Sequence, residues 1–314
     1  YGIEGGFDGM ISALSSQDEN LVGWLNVTDV LYHSWWAVFA VFLAHVPLGM
    51  LPHIGNKLWA LKEPTQRMQF IRLAFVFALI LAMLGFGGIM ARVILGEGID
   101  SNQALALLFI DLFPSWFAAL LGVGILAAVM STADGLVVSS SQIVANDLYR
   151  LSFVPRYRKD LSEEEIERRS LNISRISTVV IMILCTLLAW QTLDMNVTIL
   201  VWIGVGCMMA AFAGPLILGS VWSGVTKAGA FAGLLTGGGV YIITYLGVIN
   251  PEWFGPGSLK DIALWLQRES PNPYSCAAMG EIASIAVTVV VSKLTAPYPK
   301  EHIDALFGKS VPTD

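Results

Sequence analysis

The chain has 314 residues, 55% of them hydrophobic and only 13% charged, with a formal net charge of −6 and a mean hydropathy of +0.66. A soluble domain carries roughly a quarter charged residues, so about half the expected charge is missing, and it is missing from long blocks. That excludes an ordinary water-soluble enzyme. The apolar blocks near 33–51, 73–91, 116–133, 176–193, 197–222, 228–248 and 274–293 each approach the roughly 20 residues that cross a bilayer as a helix. They predict an all-α, polytopic membrane helix bundle with seven transmembrane helices.

Residues 1–32 read as an outer loop holding Gly5, Gly6 and the acids Glu4, Asp8, Asp18, Glu19 and Asp29. The chain opens at Tyr1 without an initiator Met, a basic n-region or a signal-peptide core. The expectation is a piece of something longer, with spans upstream. The first span contains FLAHVPLGMLPH, in which Pro47 removes a backbone donor and bends the helix. His45 lies deep enough there to reach a central cavity; the alternative is a core histidine satisfied by a carbonyl. The second span holds Gly85, Gly87 and Gly88.

The third span, Trp116 to Arg150, is apolar at first and then carries Ser131, Thr132, Asp134, Ser139, Ser140, Ser141, Gln142 and Asn146. A lone helix cannot expose that half to lipid. Ala128, Ser131 and Thr132 are three and four positions apart and share one helix face, so a backbone carbonyl and two hydroxyls converge beside it. Such an uncharged oxygen set suits a monovalent cation, since divalent ions recruit carboxylates or softer ligands. The competing reading is that small residues here allow close helix contact. Asp134 faces protein, water or an ion, or bonds to a neighbouring helix.

Residues 160–175, DLSEEEIERRSLNISR, look like a short solvated helix with acids early and bases late. Gly204, Gly206, Gly214 and Pro215 in the fifth span and Gly237 to Gly239 in the sixth permit close packing or flexing. The stretch 258–269 has the pattern of an amphipathic turn of helix at the outer interface. Residues 294–314 form a cytoplasmic tail, so that 1–314 is a single membrane domain. No connection reaches the ~50 residues of an independent domain.

Placing the connections alternately on the two sides puts Lys57, Lys62, Arg67, Arg72, Arg150, Arg156, Arg158, Lys159, Arg168, Arg169, Arg175, Lys227, Lys293, Lys300 and Lys309 on one side. Only Arg92, Lys260 and Arg268 fall on the other. By the positive-inside rule the amino end lies outside and the carboxyl end in the cytoplasm. Trp35, Trp36, Trp116, Trp190, Trp202 and Trp222 fall near span ends, where indoles favour the headgroup level. Cys185, Cys207 and Cys276 lack the spacing of a disulfide framework or zinc site. Phosphate-loop, HExxH and GxSxG motifs are absent, as is a nucleic-acid patch, so the sequence predicts neither an enzyme nor a nucleic-acid partner. The last span has no internal lysine for a retinal Schiff base, which disfavours a retinal-type seven-helix protein.

GILAAVMSTADGLVVSSSQIVANDLYR, 124–150, resembles the signature helix of the sodium:solute symporter family, in which an AAxMST stretch runs on to a DLY ending. LPHIGNKLWALKEPTQR, 51–67, is similar to the family's Pro-His stretch and basic loop. AFAGPLILGSVWSGVTKAGAFAGLLTGG, 211–238, resembles its Gly-Pro segment and Gly-rich helix. The resemblance implies a sodium-coupled secondary transporter of the leucine-transporter-like inverted-repeat type in a plasma membrane. It implies that the Ser131 and Thr132 hydroxyls and the Ala128 carbonyl hold the coupling Na+, with the rest of the shell on a helix preceding this chain. The seven spans would then be core helices six to ten plus two carboxyl-terminal extras, a fragment that does not transport alone. The implied solute is small, polar and organic, with His45 and Trp36 lining its path. Proline carriers of the family place aromatic residues just before the Pro-His pair, where this chain has Ala44, His45 and Leu48. The alternative function is a symporter-like sensor module that binds solute without transport.

Overall fold

The computed structural model describes residues 3–23, 25, 31–51, 53–55, 60, 61 and 63–307. Asp29, Lys57, Lys62 and Lys309, which enter the loop and charge readings above, lie outside the described residues, as does Pro52 of the Pro-His pair. Every regular element among the described residues is helical. In chain order the α-helices of seven residues or more are α1 (Gly6–Gln17), α2 (Trp35–Ala44), α3 (Pro64–Ala82), α4 (Leu84–Leu95), α5 (Ala104–Leu112) and α6 (Ser115–Gln142). They continue with α7 (Glu163–Gln191), α8 (Val197–Phe212), α9 (Lys227–Tyr245), α10 (Ser258–Glu269), α11 (Pro273–Leu294) and α12 (Lys300–Leu306).

Six stretches are long and apolar enough to cross a bilayer: Thr65–Leu95, Ser115–Tyr157, Glu163–Gln191, Val197–Val221, Lys227–Tyr245 and Pro273–Leu294. These match the second to seventh expected spans. The first is shorter: α2 ends at Ala44 and a tight 3₁₀ turn, Val46–Met50, completes a 16-residue apolar stretch, Trp35–Met50. Pro47 has no N–H to continue the ladder, which is why the α-helix stops just ahead of it. Two further segments differ from expectation. A helix, α1, occupies Gly6–Gln17 within the anticipated outer loop. The connector at 160–175 is not a separate short helix but the first half of α7, because no Gly or Pro separates it from the apolar run that follows.

The chain divides into two compact units. The first comprises Tyr1–Met10 and Asn56–Asn196 and contains α3 to α7. Glu63 and Gln66 form a capping box at the start of α3, with Pro64 at its first position. Pro114 ends the preceding turn and α6 begins at Ser115. The α6 helix runs on through a wider-turned π-helical segment, Ile143–Phe153. The Ser162 hydroxyl caps α7 by accepting from the Glu165 N–H, and Glu163, Glu164 and Glu165 complement the dipole of its first turn. Helices α6 and α7 pack on each other, with the Ser174 hydroxyl donating to Ser141 at 3.5 Å. On the apolar stretches of α3 and α7, Leu73, Phe75, Phe77, Ile176, Val179 and Leu187 are all exposed, a pattern that fits a lipid solvent.

The second unit comprises Ile11–Gly55 and Val197–Asp314. Its centre is the contact of α8, α9 and α11, with α2 laid on α11. Gly229, Gly233 and Gly237 form a small-xxx-small stripe on α9. A methyl group at Gly233 would overlap the Thr288 hydroxyl, and one at Gly237 would overlap the Ala210 carbonyl, so the backbones approach as closely as glycine permits. Pro215 lies in a π-helical extension of α8, Ala213–Leu218, and cannot donate to the carbonyl four residues back, Ala211. The Ser284 hydroxyl of α11 replaces that donor: it donates to the Ala211 carbonyl at 3.3 Å and accepts the Gly214 N–H at 3.0 Å.

Candidate functional site

Helix α6 places Ala128, Ser131 and Thr132 on one exposed face. The Thr132 hydroxyl donates to the Ala128 carbonyl at 3.2 Å. That carbonyl is also the acceptor of the ordinary helical ladder for Thr132, so the two oxygens lie side by side with the hydroxyl proton between them. Ser131 precedes Thr132 on the same exposed turn, and Asp134 one turn on is exposed as well. Among the described residues no group of three His, Cys, Asp or Glu could hold a metal ion. The oxygens of Ala128, Ser131 and Thr132 are a backbone carbonyl and two hydroxyls and carry no formal charge.

The second unit holds an aromatic cluster at the end of α2. The His45 ring lies 4.5 Å from Trp202 of α8 and 6.0 Å from Tyr274 of α11, stacked on the latter at 15°. Trp202 and Tyr274 are themselves 4.4 Å apart. His45 Nδ1 is hydrogen-bonded to the Val41 carbonyl, but the residue is exposed rather than in the core. Trp36 sits at the other end of α2, edge-on to Trp265 at 5.6 Å and tilted against Phe39 at 6.1 Å. Its buried indole Nε1 has no hydrogen-bond partner among the described residues. Nine residues separate Trp36 from His45, about 13 Å along the helix and half a turn out of phase. The two do not line one pocket.

Below this cluster a buried polar corner fixes the approach to α2 and α11. Glu269, 1% exposed, accepts the Ser275 hydroxyl at 2.7 Å and pairs with His33 Nε2 at 2.8 Å. Asn272 caps α11 by accepting the Tyr274 and Ser275 N–H groups, and its amide donates to the Leu31 carbonyl at 3.1 Å. The sequence reading missed Tyr274, Glu269 and the buried Glu281. It noted Trp202 only as an interface aromatic. An acid inside an apolar run is a visible signal for Glu281; nothing local marks Tyr274 as a partner of His45.

Six long apolar helices among the described residues define a multi-pass helical membrane protein. Residues 5–237 match the sodium:solute symporter family, and the chain belongs to that family. It is similar to the sodium/pantothenate symporter of Haemophilus influenzae, 26% identical over 249 residues that cover 78% of this chain and 49% of that protein. It is 25% identical to the sodium/pantothenate symporter of Escherichia coli K12, covering 80% of this chain and 50% of the relative. The sodium/proline symporter of Staphylococcus aureus is 30% identical over 173 residues, 54% of this chain and 30% of that protein. The chain thus spans about half the length of the pantothenate relatives. No solved structure matches it.

Proposed function

We propose that this chain is the ion-binding half of a sodium-coupled symporter that carries a small polar organic solute across the cytoplasmic membrane, with its amino end outside and its carboxyl end in the cytoplasm. Ala128, Ser131 and Thr132 are the Na+ ligands in this reading. The observation that carries it is the 3.2 Å spacing of the Thr132 and Ala128 oxygens on an exposed helix face in a chain of this family. A cation the size of Ca2+ or Na+ holds oxygens at about 2.4 Å, which sets neighbouring ligands of an octahedral shell about 3.4 Å apart. The pair already has that spacing. Binding asks only that the Thr132 hydroxyl turn its proton away from the carbonyl, leaving both oxygens facing the ion.

Family membership supports solute movement coupled to the Na+ gradient. The pantothenate and proline of the relatives' names are both small organic carboxylates, which supports a solute of that class. His45, within its aromatic cluster just past the end of α2, and Trp36, whose indole N–H has no partner among the described residues, are the candidate solute contacts, at two separate places. Coupling follows if Na+ and solute favour the same conformation.

The test is Na+-dependent uptake of labelled pantothenate, proline and related acids by cells making the protein with Thr132→Val. The valine keeps the helix shape and deletes one oxygen. The expected result is uptake that needs more Na+ at unchanged membrane abundance; an unchanged Na+ dependence refutes the assignment.

A further inference from the structure

Glu281 is the one acid of α11, a helix of 22 residues whose buried residues nearest to it are Ala277, Ala278, Gly280, Ser284 and Thr288, with Tyr274, Ser275 and Cys276 buried towards its start and Ser292 towards its end. At 1.5 Å per residue it stands ~12 Å from one end of the helix and ~20 Å from the other, inside a hydrocarbon layer about 30 Å thick. It is 2% exposed, and its Oε1 is buried without a hydrogen-bond partner among the described residues. The elements packed on α11 are α2, α8 with its Ala213–Leu218 extension, and α9. Neither α2 nor α8 with its extension contains a charged residue. The cations of α9 and α11 are Lys227 at the first position of one and Lys293 near the end of the other. The remaining titratable groups on these elements are Cys207, Tyr241, Tyr245, Tyr274 and Cys276, with His45 just past α2, and none of them bonds to Glu281 among the described residues.

A carboxylate in these surroundings has neither counter-charge nor donor, and an uncompensated buried charge costs several kcal/mol. A bound proton removes the charge. We propose that Glu281 is an intramembrane proton-binding site, occupied while α11 is packed on α8 and α9, and that apolar carbodiimides modify it there. The site is independent of the Na+ reading of α6 and is not used by it. Its proton leaves when water enters between α11 and its neighbours, so the hydrated arrangement holds fewer protons and is favoured as pH rises.

The reaction with dicyclohexylcarbodiimide balances without a further reagent. The carboxyl proton passes to one carbodiimide nitrogen as the carboxyl oxygen bonds to the central carbon; the acyl group then migrates to nitrogen as a stable N-acylurea, and nothing leaves. The experiment treats the purified full chain in lipid vesicles with dicyclohexylcarbodiimide or with a water-soluble, charged carbodiimide, and maps adducts by peptide mass spectrometry. The expected result is a Glu281 adduct, heavier by one whole reagent molecule, with the apolar reagent only, its yield falling as pH rises. An unmodified Glu281 in a folded chain, or equal modification by both reagents, overturns the proposal. Infrared spectroscopy supplies a second reading: the carboxylic-acid C=O band that shifts in D2O is lost in Glu281→Gln. A spectrum identical in the two proteins also overturns it. The labelling arm uses unaltered protein and decides the matter even where the variant fails to fold.

Discussion

Replacing Ser284 by Ala removes the hydroxyl that serves both sides of the break in α8, leaving the Ala211 carbonyl and the Gly214 N–H without it. A buried backbone group stripped of its partner costs about 1–3 kcal/mol. Hydrogen bonds between membrane helices average only about 0.6 kcal/mol, with a maximum near 1.7, because freed groups find other partners. Here the usual replacement is denied, since the N–H that would recapture the Ala211 carbonyl belongs to a proline. The expected cost therefore lies near the top of the membrane range, about 2 kcal/mol. Cys276 supplies the assay: it is fully buried in the same unit, while Cys185 is exposed and serves as an internal reference. If Cys276 reacts through opening of the unit, about 2 kcal/mol raises its maleimide modification about 30-fold relative to Cys185. Adding Pro215→Ala restores a donor for the carbonyl, so Ser284→Ala in that background costs less, with a coupling of about 1 kcal/mol between the sites. An unchanged Cys276 rate in Ser284→Ala, or strict additivity of the two substitutions, refutes the role given to the Ser284 hydroxyl.

Three further outcomes follow from the same unit. Gly233→Leu overpacks the contact with Thr288 and lowers the thermal midpoint of the purified chain, at about 1–3 kcal/mol; Gly239→Leu, where nothing lies within 4 Å of the added carbon, leaves it unchanged. Asn272→Ala deletes the α11 cap and costs about 1 kcal/mol, read as about fivefold faster hydrogen exchange at the amides of Tyr274 and Ser275. Glu269→Ala removes the acceptor shared by His33 and Ser275 and destabilises by about 1–3 kcal/mol, whereas replacing both partners, His33→Leu with Glu269→Leu, recovers much of that loss; denaturant titration of the three proteins checks the order.

The spans were legible because crossing a bilayer needs about 20 apolar residues in a row, and that requirement is written in composition alone. Local chemistry also foretold the interruption at Pro47, which removes a donor whatever surrounds it. It did not foretell that residues 160–175 join the following span, since a charged segment reads as a connector until the absence of a breaker is given its weight. On α6, helical spacing sufficed to bring Thr132 to Ala128, four residues apart. The aromatic cluster was out of reach for the opposite reason: His45, Trp202 and Tyr274 come from three helices, and periodicity tells which face of a helix is apolar but not which helix it meets. Glu281 stood in plain view in an apolar run. Its burial depends on the glycine stripe of α9 and the small residues of α11, which bring backbones together only in three dimensions.

The hydroxyls of the two units are used in different ways, and the difference bears on which of them can serve a transient ligand. On α11, Ser284 and Ser292 bond across to the backbone of neighbouring segments, at Gly214 and Thr226. Withdrawing either breaks a contact between elements and orphans a buried group. On α6, Thr132 bonds within its own helix, to a carbonyl that the ladder already satisfies. Giving up that bond orphans nothing, and the exposed face leaves an ion room to take the proton's place. A reversible ligand site needs donors whose alternative bonds are weak and local, whereas a packing seam needs the reverse. By that criterion the α11 seam is suited to cohesion and the α6 face to the exchange proposed for it; within the seam, Glu281 Oε1 and the Thr288 hydroxyl are buried without a hydrogen-bond partner among the described residues.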